Sequence, residues 1–313
     1  MNTKQTNSLR WQNLPSLLLL ARAVMRDNPT QIRNVLRAAV QRLQASSLSP
    51  QLDAELLLCA VLERGRTWLR IHDGECLNAA QARAFDDWLE RRLRGEPVAY
   101  LLGCQEFWSL PLKVAPCTLI PRPDTERLVE VALARAPENC TTVLDLGTGT
   151  GAIALALKHE RRHWHVTATD RVEMAAALAS ENAQQLGLSL EVLESDWLAA
   201  LTGRRFDLIV SNPPYIDPHD PHLRGDGVSY EPLSALVAEH GGLGDLKTIV
   251  EHAPQHLCAE GVLALEHGYD QAQAVGRLLL GAGFDDIQTH HDYGGQVRVT
   301  SAVWRGDSSD FTS

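Results

Sequence analysis

From Val143 onward, short runs of β-branched residues alternate with stretches of helical periodicity, a pattern that commits the chain to successive parallel βαβ units. Strands are expected near 142–146, 165–169, 190–194, 206–211, 261–266, 286–289 and 297–303, with helices between most of them. Crossover helices cover both faces of such a sheet, so its strands read as nearly continuous apolar runs. An open α/β sheet binds its ligands beyond the carboxyl ends of its strands, and the chemistry of this chain is to be sought there.

The first hundred residues read differently. Ile32, Val35, Leu36, Ala39, Val40 and Leu43 fall at the i, i+3, i+4 spacing of an amphipathic helix that ends near Ser46-Ser47. Ser49 suits the N-cap and Pro50 the first position of a second helix through Leu56, Leu57, Ala60 and Val61. A third is expected over 79–94, stopped by Gly95 and Pro97, giving a bundle of three or four helices with no catalytic motif. Between Tyr100 and Val114 the pattern turns short, aromatic and β-like, with Gly103 and Pro111 as punctuation, as in a hairpin that links two domains. Asp124, after Pro121-Arg122-Pro123, is placed to cap a helix through Leu128 and Val131. The expected organisation is an extension over 1–29, a helical domain over 30–97, a hairpin linker over 98–122, an α/β catalytic domain over 123–305 and a tail over 306–313.

Acidic residues outnumber Lys plus Arg by 39 to 29, so the chain lacks the overall positive field on which non-specific nucleic-acid binding depends. Its six cysteines are scattered without zinc-like spacing and are expected to be reduced, mostly buried thiols of a cytoplasmic protein. No apolar run approaches the ~20 residues of a membrane helix, and no membrane span is expected. Residues 17–24 are apolar except at Arg22, and Ala21-Arg22-Ala23 faintly imitates a signal-peptide cleavage site. Arg22 inside that site points instead to an irregular or helical extension, with Met25 as an alternative start.

The run Val143-Leu144-Asp145-Leu146 closes a strand, and Gly147-Thr148-Gly149-Thr150-Gly151 leads into the helix from Ala152. Glycines at such a junction let backbone approach a ligand closely. The spacing G-x-G-x-G differs from the dinucleotide G-x-G-x-x-G, and Asp145 before the loop disfavours a diphosphate while suiting a cationic sulfonium ligand. That charge preference points to S-adenosylmethionine. Asp170 follows the second strand about 20 residues on, where an acid can accept from ribose hydroxyls. In Ser195-Asp196-Trp197, Asp196 is a candidate acceptor for the adenine amine and Trp197 a candidate ring partner, although Trp197 reads almost equally well as a core aromatic.

Asn212-Pro213-Pro214-Tyr215 ends the fourth strand. Two prolines cannot continue a ladder; they stiffen the turn and leave the Pro213 carbonyl free to accept. An amide nitrogen is a poor nucleophile because its lone pair is delocalised over the carbonyl. Two acceptors, the Asn212 side-chain oxygen and the Pro213 carbonyl, would aim such a nitrogen at a methyl group, with Tyr215 as a flat wall beside it. No metal is needed for this, and none is expected.

Together these residues resemble the class I methyltransferases of exocyclic and amide nitrogens, and above all the peptide-chain release factor N5-glutamine methyltransferases of the HemK/PrmC type. The resemblance runs over about residues 30–304 and includes Gly95-Glu96-Pro97, Glu106 through Leu112, Leu119 through Glu126, the glycine loop, Asn212 through Ile216 and Tyr230-Glu231-Pro232-Leu233. It implies a Rossmann-like seven-stranded class I methyltransferase domain with a small N-terminal helical bundle that helps to recognise substrate. It further implies cofactor roles for Gly147 to Gly151, Asp170, Trp197 and Asn212, and amide binding by Asn212 to Tyr215. The implied substrate is the glutamine of the Gly-Gly-Gln loop in class 1 peptide chain release factors, methylated by a monomer without membrane or direct nucleic-acid partners. Pro121-Arg122-Pro123-Asp124 separates this resemblance from a sister family that methylates a ribosomal-protein glutamine. A DNA adenine-N6 methyltransferase and a non-catalytic binding module are the remaining alternatives, opposed by the acidic balance and by the intact loop and Asn212. Gly294-Gly295-Gln296 repeats the target tripeptide within this chain, but a Tyr-Gly-Gly turn before a closing strand is ordinary hairpin chemistry.

Overall fold

A computed structural model of the chain describes residues 28–306 apart from 226, and divides them into two units at Leu101/Leu102. The expectations for residues 1–27, including the Met25 start, and for 307–313 lie outside the described residues.

In the first unit, helices span Ile32–Leu43, Pro50–Leu62, Arg66–Ile71 and Ala79–Leu93. Their apolar stripes meet through Ile32, Ala39, Leu43, Leu57, Leu58, Leu69, Phe85 and Leu89, all buried. Asn78 and Gln81 close a reciprocal capping box on the last of these helices. Ser49 does not cap the second one. Its hydroxyl donates instead to Asp53, which also forms a buried ion pair with Arg92 at 2.7 Å. A buried carboxylate needs several donors, and that need outweighs the cap.

The second unit opens with a hairpin, β1 (Cys104–Phe107) and β2 (Leu110–Lys113), turned by Trp108 and Ser109, both at positive φ as a two-residue type I′ turn requires. Phe107, Leu110 and Leu112 are buried in this unit's core, so the hairpin belongs to it and is more than a connecting ribbon. Asp124 lies inside a 3-10 turn, Pro123–Thr125, that precedes the helix Glu126–Arg135, and it provides no cap. Pro123 starts that turn one residue too early for Asp124 to stand outside it.

The sheet has seven strands: β3 (Thr142–Leu146), β4 (His165–Asp170), β5 (Glu191–Glu194), β6 (Phe206–Ser211), β7 (Leu257–Glu266), β8 (Asp285–His291) and β9 (Val297–Trp304). Their spatial order is β5-β4-β3-β6-β7-β9-β8, the first five parallel and β9 antiparallel to both neighbours. The order reverses between β3 and β6, which places the switch point of the sheet at their carboxyl ends. Val143, Leu144, Leu146, Leu208, Ile209 and Val210 are fully buried because cores form on both faces. β7 begins four residues before the expected strand, and its register against β6 shifts between Phe206 and Leu208. Only Cys140 of the six unpaired cysteines is buried, fewer than expected.

Candidate active site

At the switch point the backbone of the glycine loop is held almost entirely by its own surroundings. Thr148 N–H donates to the Thr169 carbonyl at 2.8 Å, and Gly149 N–H donates to Asp170 Oδ2 at 2.9 Å. Gly147, Gly149 and Gly151 all have positive φ, which costs other residues about 1–2 kcal/mol. Space matters too. A Cβ on Gly147 would lie 3.2 Å from the Trp197 ring, and one on Gly151 would lie 3.1 Å from Leu155. Asn182, 0 % exposed, clamps the far side: its Nδ2 donates to the carbonyls of Thr150 and Lys113, and its Oδ1 accepts from Lys113 N–H.

A cleft opens above the loop, enclosing about 900 Å³ of empty space including its mouth. Its floor is Gly147, Thr148, Gly149 and Thr150, its walls Asp170, Ser195 and Trp197, and its roof Thr118, Leu119 and Pro121. The roof is tied down by Glu231, 5 % exposed, which accepts from Ile120 N–H at 3.0 Å and pairs with Arg122. Two sequence motifs far apart in the chain thus meet at one carboxylate. Arg171 is similarly engaged, donating to the Ser234 carbonyl. Asp170 makes no ion pair among the described residues. Each of its oxygens accepts one backbone N–H, from Gly149 and Val172, and each keeps a further lone pair for a ligand hydroxyl.

The expected residues are distributed unevenly about this cleft. Gly147 to Thr150, Asp170, Trp197, Asn212 and Pro214 line it. Gly151 lies beneath, against Leu155 and Ala179. Asp196 is exposed and absent from the lining, where its neighbour Ser195 stands instead. Trp197 has a positive φ of 48°, which swings the ring back over Gly147 and carries Asp196 outward. Pro213 is buried, and Tyr215 is absent from the lining: its ring packs against the core and its hydroxyl donates to Glu266 Oε1 at 3.1 Å. A buried phenol needs a partner for its O–H, and Glu266 supplies one away from the cleft.

Asp145 also departs from expectation. It is 0 % exposed under the loop, where its Oδ2 accepts from the Thr148 hydroxyl at 2.6 Å and Ala154 N–H at 3.2 Å while Oδ1 finds no partner. Burial pushes its carboxyl up to about 7, and it braces the loop from below without lining the cleft. The carboxylate facing a cationic ligand is Asp170.

Asn212 leaves the end of β6 beside the loop, and its Nδ2 donates to the Thr125 hydroxyl at 3.1 Å. The turn behind it is fixed by Gln271, which donates to the Tyr215 carbonyl at 3.0 Å, and by Gly242, whose missing Cβ leaves room for that carbonyl. Thr125, Glu231, Asn182 and Glu266 are not legible as site residues from spacing, because each acts through a contact distant in sequence. The donors and acceptors present suit S-adenosylmethionine: a glycine floor for close approach, one carboxylate with spare lone pairs, and an aromatic wall.

Comparison with known proteins agrees. Residues 34–103 match the PrmC N-terminal domain family, and residues 125–224 match the methyltransferase small domain family. The release factor glutamine methyltransferase of Escherichia coli K12 is 52 % identical over 266 residues, covering 85 % of this chain and 96 % of its own length. That of Pseudomonas aeruginosa is 56 % identical over 259 residues, covering 82 % and 94 %. Among solved structures, the Mettl16 catalytic domain in complex with a MAT2A 3′UTR hairpin superposes with a TM-score of 0.52 at 18 % identity, covering 67 % of this chain and 82 % of that one, a likeness of fold alone.

Proposed function

Because the chain belongs to the release factor glutamine methyltransferase family of S-adenosylmethionine-dependent enzymes, we propose that it methylates the N5 amide of the glutamine in the Gly-Gly-Gln loop of class 1 release factors. What supports this reading is one observation. Asn212 lines the same cleft as the glycine loop, and its Nδ2 is already engaged by Thr125. Its Oδ1 is the atom left to accept a substrate N–H.

Bound on the loop, S-adenosylmethionine supplies an electrophilic methyl carbon on a positively charged sulfur. The protein's task is then to orient the nucleophile. Asn212 Oδ1 accepts one N–H of the glutamine amide, the backbone carbonyl of Pro213 takes the other, and the lone pair is steered out of conjugation toward the methyl carbon. Methyl transfer would exchange the carbon–sulfur bond of the bound donor for a nitrogen–carbon bond, and the nitrogen would release one proton to solvent. Asp170 would hold the ribose end, and Trp197 over Gly147 would wall the nucleoside side. Such an enzyme works in the cytoplasm with its substrate, and no helix among the described residues is long and apolar enough to cross a membrane.

The test is methyl transfer into a purified class 1 release factor by wild type and Asn212→Ala. The substitution is expected to lower kcat about a hundredfold or more, with cofactor affinity changed far less. Undiminished turnover by the variant, or label entering DNA and not the release factor, would contradict the proposal.

A further inference from the structure

One motif singled out in the sequence has no part in the proposed mechanism: the tripeptide Gly294-Gly295-Gln296, which lies in the turn between β8 and β9. β8 is antiparallel to β9, and β9 is antiparallel to β7, so β8 runs in the direction of β7. The turn therefore emerges at the carboxyl end of the sheet, the end that carries the cleft. Asp292, itself buried, organises it. Its Oδ1 accepts from Gln296 N–H at 2.9 Å, its own N–H donates to the Gln296 carbonyl at 2.8 Å, and its carbonyl accepts from Gly295 N–H at 3.0 Å. Its Oδ2 pairs with Arg298. Tyr293 is drawn aside, with its hydroxyl donating to Glu130. These contacts explain the backbone of the turn and its glycines: Gly295 has a φ of +83°, and a Cβ on Gly294 would lie 3.2 Å from Asp292 Oδ1. They do not explain the glutamine. Gln296 is exposed, and its side-chain amide makes no hydrogen bond among the described residues.

We propose that Gln296 is a second substrate glutamine of this enzyme, methylated on its side-chain nitrogen by another molecule of the same chain. The group on offer is a free primary carboxamide directly after two glycines, the same tripeptide as in the proposed release factor substrate. Bare backbone at Gly294 and Gly295 leaves nothing beside the amide to collide with the walls of a cleft. The turn lies two to three strand positions from the end of β6, about 10–15 Å across the sheet, which is farther than a glutamine side chain reaches. Backbone bonds on both sides of Gln296 hold it there, so its own Asn212 is out of range and the cleft of a second molecule is the one it can enter. Gln296 Nε2 would gain the methyl carbon and lose one proton to solvent. The bond broken would be the carbon–sulfur bond of the bound donor, whose sulfur keeps the electron pair.

This assignment rests on the proposed glutamine chemistry, and a mixing experiment separates the two. Asn212→Ala, expected to be inactive but still carrying Gln296, serves as acceptor once its intact mass shows no methyl. Gln296→Ala, which keeps Asn212 and lacks the acceptor, serves as enzyme. The turn's bonds to Asp292 are made by the backbone of residue 296, so this variant should fold as wild type does. It should also methylate a class 1 release factor within about twofold of the wild-type rate, because position 296 does not line the cleft. When the two variants are mixed with labelled S-adenosylmethionine, the Asn212→Ala chain should gain the mass of one methyl, mapped by peptide sequencing to Gln296. Either variant alone should gain none. The proposal is overturned if Gln296→Ala methylates release factor while the Asn212→Ala chain stays unlabelled or is labelled at another residue. It is equally overturned if wild type labels its own Gln296 and the mixture does not, since the transfer would then be intramolecular. Label on Gln296 with none on any release factor would uphold this site and sink the release factor reading; label on neither would sink both.

Discussion

The glycine loop and the Asn-Pro-Pro-Tyr corner end adjacent parallel strands, β3 and β6, and both must be stiff, yet they reach stiffness by opposite means. The loop is positioned through its backbone, with three glycines at positive φ and peptide groups bonded to Thr169 and Asp170. The corner is positioned through prolines and buried side chains, with Asn212 bonded to Thr125 and Tyr215 bonded to Glu266. A cofactor common to many reactions can be held by peptide groups that every sequence possesses. Choosing which nitrogen receives the methyl requires side chains of particular polarity, and these must be kept in one orientation.

Substitutions that separate the two regions test this contrast, and the largest effect is expected behind the corner. A Cβ on Gly242 would lie 2.1 Å from the Tyr215 carbonyl at a φ of +79°, so Gly242→Ala should cost about 3 kcal/mol or more in denaturant unfolding and abolish turnover. If the variant kept its turnover, the corner would be softer than described. Under the loop, Asp145→Asn should act in the other direction. The Asp145 carboxyl sits at about 7 against an ordinary 3.8, so its contribution to stability is fully present below about pH 4 and lost as pH rises through 7. That rise corresponds to at most about 4 kcal/mol, and a neutral amide at this position avoids the loss, so the variant's advantage over wild type should grow between about pH 4 and pH 8 in paired melting curves. Cofactor affinity should change little, since the loop's bonds to Thr169 and Asp170 remain; a loss of about tenfold or more would show that the loop depends on this charge after all. The smallest effect is expected at Gly149→Ala, where the nearest atom to an added Cβ is 3.8 Å away and only the φ of +55° is unfavourable. Denaturant unfolding should show a cost of about 1–2 kcal/mol there, and a larger one would mean that the loop tolerates less than its open surroundings suggest.

Much of the fold is legible because periodicity and turn chemistry are local. β3 and β6 occupy the residues expected of them, Ile32–Leu43 is the helix its apolar spacing predicts, and the sheet has the expected seven strands. Expectation fails where a distant partner outweighs a local preference. Ser49 serves Asp53, Asp124 is drawn into a turn begun by Pro123, and Tyr215 goes to Glu266. Asp145 differs for a related reason: its place before the loop is visible in the sequence, but its complete burial depends on how the helix Ala152–Glu160 packs over it. For Glu266 one signal exists. A lone carboxylate closing the apolar run Val262-Leu263-Ala264-Leu265 at a strand's carboxyl end is poorly suited to a sheet centre unless something requires it there.

The carboxylate of Glu231 has a consequence for biosynthesis. It grips Ile120 and Arg122 from 111 and 109 positions away along the chain. A nascent polypeptide emerging from the ribosome has its glycine floor long before it has the residue that closes the lid. The donor pocket is therefore finished only after Glu231 has cleared the exit tunnel, and a chain halted after β5 would carry the fingerprint of the enzyme without a chamber in which to use it.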